Sequence, residues 1–231
     1  MFPSPAMSNI DGDRLRNELA RQYRIIRGEF VVRMALVALA YSVCALYVPP
    51  WIMAVLFSIE VAGEFTAQGL LRGLDPVRSP QRYWLFVLCL VPMEASLISA
   101  SGMVWMQDDP YAKAIAVGIV MGSLLHLCSV RSIHLLLGIV GMMTVAVVVL
   151  VFNTLHWLDE GNLVGLAIST ITAIAGIGYA ATAMISNHRL HRAGAEAAAA
   201  ARASSVAKGR FLAQISHELR TPLNAVIGLG E

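Results

Sequence analysis

"SIHLLLGIVGMMTVAVVVLVF", residues 132–152, decides the fold. No Asp, Glu, Lys or Arg interrupts it between Arg131 and Asn153. A helix rises about 1.5 Å per residue, so about 20 apolar residues cross the roughly 30 Å hydrocarbon layer of a bilayer. Five further blocks of the same kind lie outward from it, at 30–49, 51–71, 83–106, 112–130 and 163–186. The chain of 231 residues is 57% hydrophobic and 14% charged, and its mean hydropathy is +0.66. That leaves too little polar surface for an ordinary soluble domain. The expected fold is an all-α membrane protein with six transmembrane helices, the last continuing into a cytoplasmic signalling helix.

The loops give an orientation. Arg72, Arg78 and Arg82 follow the second block, Arg131 follows the fourth, and "NHRLHR" (187–192) follows the sixth. The opposite loops contain "VPPW", "QDDPYAK" and "NTLHWLDEGN", with Lys113 as their one strong base. Positive charge stays on the cytoplasmic side of a membrane, so both termini are expected there. Trp51, Trp105, Tyr111 and Trp157 fall at the outer edges, where interfacial aromatics collect. Pro49–Pro50 separates the first two spans. No cleavable signal peptide is expected, because the first apolar block is a full span without an A-x-A-like site. Cys44, Cys89 and Cys128 sit inside apolar blocks without a CxxC partner and read as free buried thiols. The two sets of three helices share no motif that would suggest a repeat-built transporter.

Two stretches flank the spans. Residues 1–29 form an N-terminal segment, and within it 11–29 place Leu15, Leu19, Tyr23 and Ile26 at spacings of three and four, surrounded by arginines. That helix either lies on an anionic membrane face or acts as a simple positive anchor. Residues 187–208 are alanine-rich, charged and free of proline. Leu190, Ala193, Ala197, Ala200, Ser204, Ala207 and Phe211 step along this region with heptad-like spacing, which allows a close or weak helix pair.

The terminal stretch, 209–231, contains "FLAQISHELRTPLNAVIG". Phe211, Leu212, Ile215, Leu219 and Leu223 mark one apolar face, and His217 lies off it. Pro222 is expected to kink the helix beyond the histidine. A neutral imidazole has a lone pair free to attack phosphorus, and a neighbouring carboxylate can fix its tautomer and take its other proton. Glu218 is so placed in sequence, and Arg220 is a candidate cation for the transferred group.

The run from Ser216 to Leu223 resembles the phosphoacceptor motif, or H-box, of sensor histidine kinases of two-component systems. The resemblance covers about 20 residues and stops within the first helix of the dimerisation and histidine-phosphotransfer domain. It implies His217 as phosphoacceptor, Glu218 as assisting base, and Thr221 as the residue that positions water when the partner regulator is dephosphorylated. It also implies a homodimer, a response regulator with a receiver aspartate, and ATP with magnesium supplied by a catalytic domain that the 231 residues do not contain. The expected fold at the end of the chain is a truncated phosphoacceptor hairpin, and this segment alone should be inactive. The expected location is the bacterial inner membrane, with the lipid bilayer as a partner and no nucleic acid.

The input side rests on the residues themselves. The apolar blocks form a six-helix sensor domain over 30–186. Its outer loops are too short to fold into a binding domain. Glu60 and Glu64, four apart, share a face of the second span, and Glu94 follows Pro92 in the third. Intramembrane carboxyls face the bundle interior and find partners, so these three are the candidate sensing residues for a ligand, ion or proton, with structural hydrogen bonding as the alternative. His126, Cys128 and His134, with Glu64, have ligand chemistry but no ligand spacing, and no metal is expected. Gly118 and Gly122 form a GxxxG read as packing within the monomer. The alternative to a sensor kinase is a transporter, channel or carrier-like module, with or without a kinase output.

Overall fold

The computed structural model describes the backbone from Pro5 to Gly228 and the side chains from Arg14 to Ser216. The described residues are helical and contain no strand. The helices are α1 (Pro5–Gly28), α2 (Phe30–Cys44), α3 (Pro50–Leu71), α4 (Pro80–Trp105), α5 (Pro110–Ser129), α6 (Leu135–Asp159) and α7 (Leu163–Gly228), with a 3-10 turn at Arg131–Ile133. The chain divides into two units, Met1–His188 and Arg189–Glu231.

Proline sets the start of three helices. Pro50, Pro80 and Pro110 stand in the first turns of α3, α4 and α5, where the missing N–H is not needed. Asp109 caps α5 by accepting from the amides of Tyr111 and Ala112 at 3.2 Å each. The α6–α7 turn closes on Gly161, with φ of 63°. The Gly161 amide donates to Leu158 O and the Asn162 amide to Trp157 O, as in a Schellman cap. Asn162 then caps α7 through the Gly165 amide at 2.8 Å. The sequence "NTLHWLDEGN" therefore is not a loop throughout. Nothing in it breaks a helix before Gly161, so α6 runs to Asp159 and carries His156 and Trp157 on its last turns.

Five described helices, α3 to α7, are long and apolar enough to cross a membrane. The expected sixth, block 30–49, is helical only to Cys44 and continues as turns to Val48 before the Pro49–Pro50 pair. The 15 residues of α2 span only about 22 Å at the rise of an α-helix. Main-chain bonds from Glu29 to Ile25 and from Arg33 to Glu29 carry the helical ladder from α1 into α2.

In the first unit α4 is the central helix: 56% of its span is buried, against 22–28% for α3, α5 and α6. Phe86, Leu90 and Met93 of α4 pack with Ala67 and Leu71 of α3, Leu137 of α6, and Leu19 and Ile26 of α1. The apolar stripe of α1 thus seats in the bundle core, with Leu15 and Tyr23 beside it. This replaces the expectation of a helix lying on the membrane face. Arg16 fastens α1 to Asp75 in the α3–α4 turn at 2.8 Å. Desolvation pulls the Asp75 pKa upward, but the Arg78 and Val77 amides and the Arg16 and Arg78 charges outweigh it and hold the carboxyl below its ordinary value. At the other end Tyr41, Cys44, Met53, Ala100, Val104 and Ala112 form a second core. A third joins Ile98, Leu127, Met142 and Val145 to Ala180 and Met184 of α7.

The two units are described separately. Within the second, Arg192 pairs with Glu196 at 3.0 Å. The seam positions Leu190, Ala193, Ala197, Ala200, Ser204, Ala207 and Phe211 are exposed in the single chain. The helical assignment passes through Pro222, where a kink was expected, to Gly228.

Glycines separate close packing from open faces. A side chain at Gly102 would meet the Phe152 ring, whereas Gly118 and Gly122 face open space, so their GxxxG does not pack within the monomer. Gly102→Leu is expected to lower stability by about 1–3 kcal/mol, and Gly118→Leu to change it by less than about 0.5 kcal/mol in the monomer. Thermal unfolding in detergent, with the monomer fraction checked by sedimentation, measures both.

Candidate functional site

The three intramembrane acids converge in the bundle interior. Glu60 and Glu64, one helical turn apart on α3, are 7% and 2% exposed, and Glu94 on α4 is 8% exposed. Glu64 forms an ion pair with Arg33 of α2 and accepts from Gln68 Nε2 at 2.8 Å. Glu60 Oε2 accepts from Ser96 Oγ at 3.2 Å, and that hydroxyl in turn accepts from Tyr41 OH at 3.2 Å. Glu94 Oε2 accepts from Ser123 Oγ of α5 at 3.3 Å. Arg131, in the turn after α5, is 3% exposed and interacts electrostatically with Glu94, Glu64 and Glu60.

The cluster therefore draws on α2, α3, α4, α5 and the α5–α6 turn. Its members are where bilayer physics requires them: charge in hydrocarbon is costly, so it is turned inward and paired. Three carboxyls face two guanidiniums, so full ionisation leaves one uncompensated negative charge. Donors also remain to be used. Arg33 Nε and Arg131 Nε and Nη1 have no hydrogen-bond partner among the described residues. Such an arrangement can bind a proton, a small ion or a polar group.

Sequence reading singled out the acids and missed their bases. Arg33 was visible as the lone charge within block 30–49 and Arg131 as a loop arginine, but neither period nor spacing ties them to residues 31 or more positions away. Tyr41, Ser96 and Ser123 give no sequence signal at all.

The other candidates do not assemble. Cys128 donates to Ala180 O at 3.1 Å and His134 Nε2 lies 3.2 Å from Tyr83 OH. Among the described residues no three His, Cys, Asp or Glu side chains form a metal-holding group. All three cysteines are free thiols, Cys44 and Cys128 buried and Cys89 half-buried.

α7 carries the remaining candidates. In the first unit it is held by few polar contacts: Asn153 Nδ2 to Thr170 Oγ1 at 3.0 Å, Cys128 to the Ala180 carbonyl, Asn187 Nδ2 to Cys128 O at 2.9 Å, and His188 Nδ1–H to Ser132 O at 2.8 Å. His217, Glu218 and Thr221 lie on the same helix by its backbone assignment, and their side chains fall outside the described residues.

Residues 207–231 match the His Kinase A (phospho-acceptor) domain family. The chain is also 54% identical, over 43 residues, to an uncharacterized sensor-like histidine kinase of Rhizobium meliloti (strain 1021). That stretch is 19% of this chain, and the chain covers only 8% of the relative's length. No solved structure matches the chain. The C-terminal segment is thus similar to histidine-kinase phosphoacceptor domains, and it follows a region of long apolar helices.

The buried pair gives a direct test. Arg33→Met or Glu64→Leu alone strands the partner's charge and is expected to cost about 3–5 kcal/mol, whereas the double variant recovers most of that loss. Equilibrium unfolding of the four chains in one detergent measures the cycle.

Proposed function

We propose that this chain is the membrane sensor and phosphoacceptor portion of a sensor histidine kinase. The observation that carries the reading is the match over 207–231, which includes the unbroken run Ser216-His-Glu-Leu-Arg-Thr-Pro-Leu223. His217 takes the γ-phosphoryl group of ATP, bound with magnesium by a catalytic domain. The neutral ring attacks phosphorus, the bond to the ADP oxygen breaks, and the imidazole gives up its proton. Glu218 holds the other ring nitrogen and assists that transfer. The phosphoryl group then passes to an aspartate of a response-regulator receiver domain. Thr221 positions the water that hydrolyses the regulator's aspartyl phosphate, releasing inorganic phosphate.

In this reading the chain works as a homodimer in the bacterial inner membrane, with both termini cytoplasmic. It carries six membrane-crossing segments, α2 among them with the turns that follow it. The domains are 1–29, the sensor bundle 30–186, the signalling helix 187–208 and the phosphoacceptor segment 209–231. The arginines of the α3–α4 and α5–α6 turns and of α7 support this orientation. The exposed small-residue seam along 190–211 supports pairing with a second copy.

Glu60, Glu64 and Glu94 are the sensing residues. Their surplus negative charge is where a proton or cation binds, and two of the contributing helices, α4 and α5, pack against α7. The signal then travels along α7 as a rotation, tilt or register change.

Full-length chain supplied with a histidine-kinase catalytic domain and magnesium-ATP is expected to gain acid-labile, base-stable phosphate. His217→Gln removes it. Label that survives this substitution, or substrate flux through vesicles without any phosphorylation, contradicts the reading and favours a transporter.

A further inference from the structure

Away from the charge cluster, the arginine-poor end of the first unit holds a second feature. α4, α5, α6 and the first turns of α7 surround a cavity of about 370 Å³. This falls within the roughly 300–1,000 Å³ of small-molecule sites. Small residues open it: Gly102 of α4, Ala116 of α5, and Ala173 and Gly176 of α7. The polar groups in its wall are already engaged. Asn153 donates to Thr170, Ser169 Oγ to Gly165 O at 2.8 Å, and Thr172 Oγ1 to Ile168 O at 2.9 Å. The wall is therefore chemically apolar.

The rim is different. Trp105 lines the cavity and meets the His156 ring edge-on, with centroids 5.8 Å apart. His156 contacts Trp157 at 4.9 Å, and Lys113 Nζ lies 5.9 Å from the centroids of both indoles. Trp105 Nε1, Trp157 Nε1 and His156 Nε2 are buried and have no hydrogen-bond partner among the described residues. His156 itself is 3% exposed. Lys113 forms no ion pair among the described residues, while nearby Asp109 is occupied as the α5 cap. The other acids of these turns, Asp108, Asp159 and Glu160, disfavour a free anion arriving from water. An anion carried on an apolar tail reaches the rim from the bilayer instead.

We infer that this cavity binds a single-chain amphiphile with an anionic headgroup, such as a fatty acid, its tail between α5 and α7 and its carboxylate at Lys113 and the Trp105 indole. Lys113 supplies the charge and Trp105 Nε1 an unused donor, which together select a carboxylate over a neutral ester. Because the tail contacts Ala173, Gly176 and Ile177, occupancy bears on α7, the helix that carries the phosphoacceptor segment. Binding is read on the chain itself, so it stands or fails separately from phosphotransfer.

The test uses the full chain in phosphatidylcholine nanodiscs with 9,10-dibromostearate as a tryptophan quencher. Trp51 and Trp84, 68% and 54% exposed, are replaced by Phe so that the signal comes from Trp105 and Trp157. The expected result is saturable quenching that stearate reverses and that neither methyl stearate nor acetate reverses. Ala173→Phe and Gly176→Leu, which fill the cavity, should each abolish the saturable part. Lys113→Gln, at the half-buried rim, should weaken binding about tenfold. Quenching that rises only linearly with added lipid, equal competition by methyl stearate, or unchanged affinity in Lys113→Gln would overturn the inference.

Discussion

Charge buried among apolar helices is the constraint on which the first unit depends. Glu64 cannot sit at 2% exposure inside a membrane bundle unless Arg33 meets it. That pairing fixes α2 against α3. Glu60 reaches through Ser96 and Tyr41 to α4 and α2, and Glu94 reaches through Ser123 to α5. Arg131 brings the α5–α6 turn under the same group of acids. A lipid environment supplies no driving force for apolar helices to prefer one another, so these polar contacts, with close packing at glycines such as Gly102, specify which helices neighbour which.

α7 stands in a different relation to this network. Among the described residues, none of its side chains joins the acid–arginine group. Its membrane portion is buried mainly at Ala180 and Met184 and tied by the hydrogen bonds at Thr170, Ala180, Asn187 and His188. A helix held by a few contacts, with small residues facing a cavity, can change position at low energetic cost when those contacts change. α4 and α5, which carry Glu94 and its partner Ser123, also supply contacts that hold α7 or line the cavity beside it.

The sequence made the helices legible because their signals are local. Proline at helix starts, long uncharged runs and arginine-bearing turns placed the long spans to within a few residues. Other features were not local. Composition does not reveal that the helix in block 30–49 ends at Cys44 ahead of Pro49. "NTLHWLDEGN" looked like a loop because its polar residues hid the absence of any breaker before Gly161. The stripe of α1 was visible, but whether it would face lipid or protein depended on Leu71, Leu74 and Leu137, far along the chain. In the polar cluster the acids announced themselves, being expensive in hydrocarbon. Their arginine partners required the three-dimensional arrangement. The phosphoacceptor motif was legible as a contiguous run, and the match over 207–231 rests on the same residues.

The central claim is that the buried carboxyls bias phosphorylation of His217. The most direct measurement is the initial rate of His217 labelling by magnesium-ATP in membranes bearing this chain together with a histidine-kinase catalytic domain, comparing the parent with Glu60→Gln, Glu64→Gln and Glu94→Gln at equal protein levels. The account predicts a several-fold change in rate for at least one folded variant, with the catalytic domain's ATP affinity unaltered. Identical rates in all three, with the parent's stimulus response intact, would contradict it.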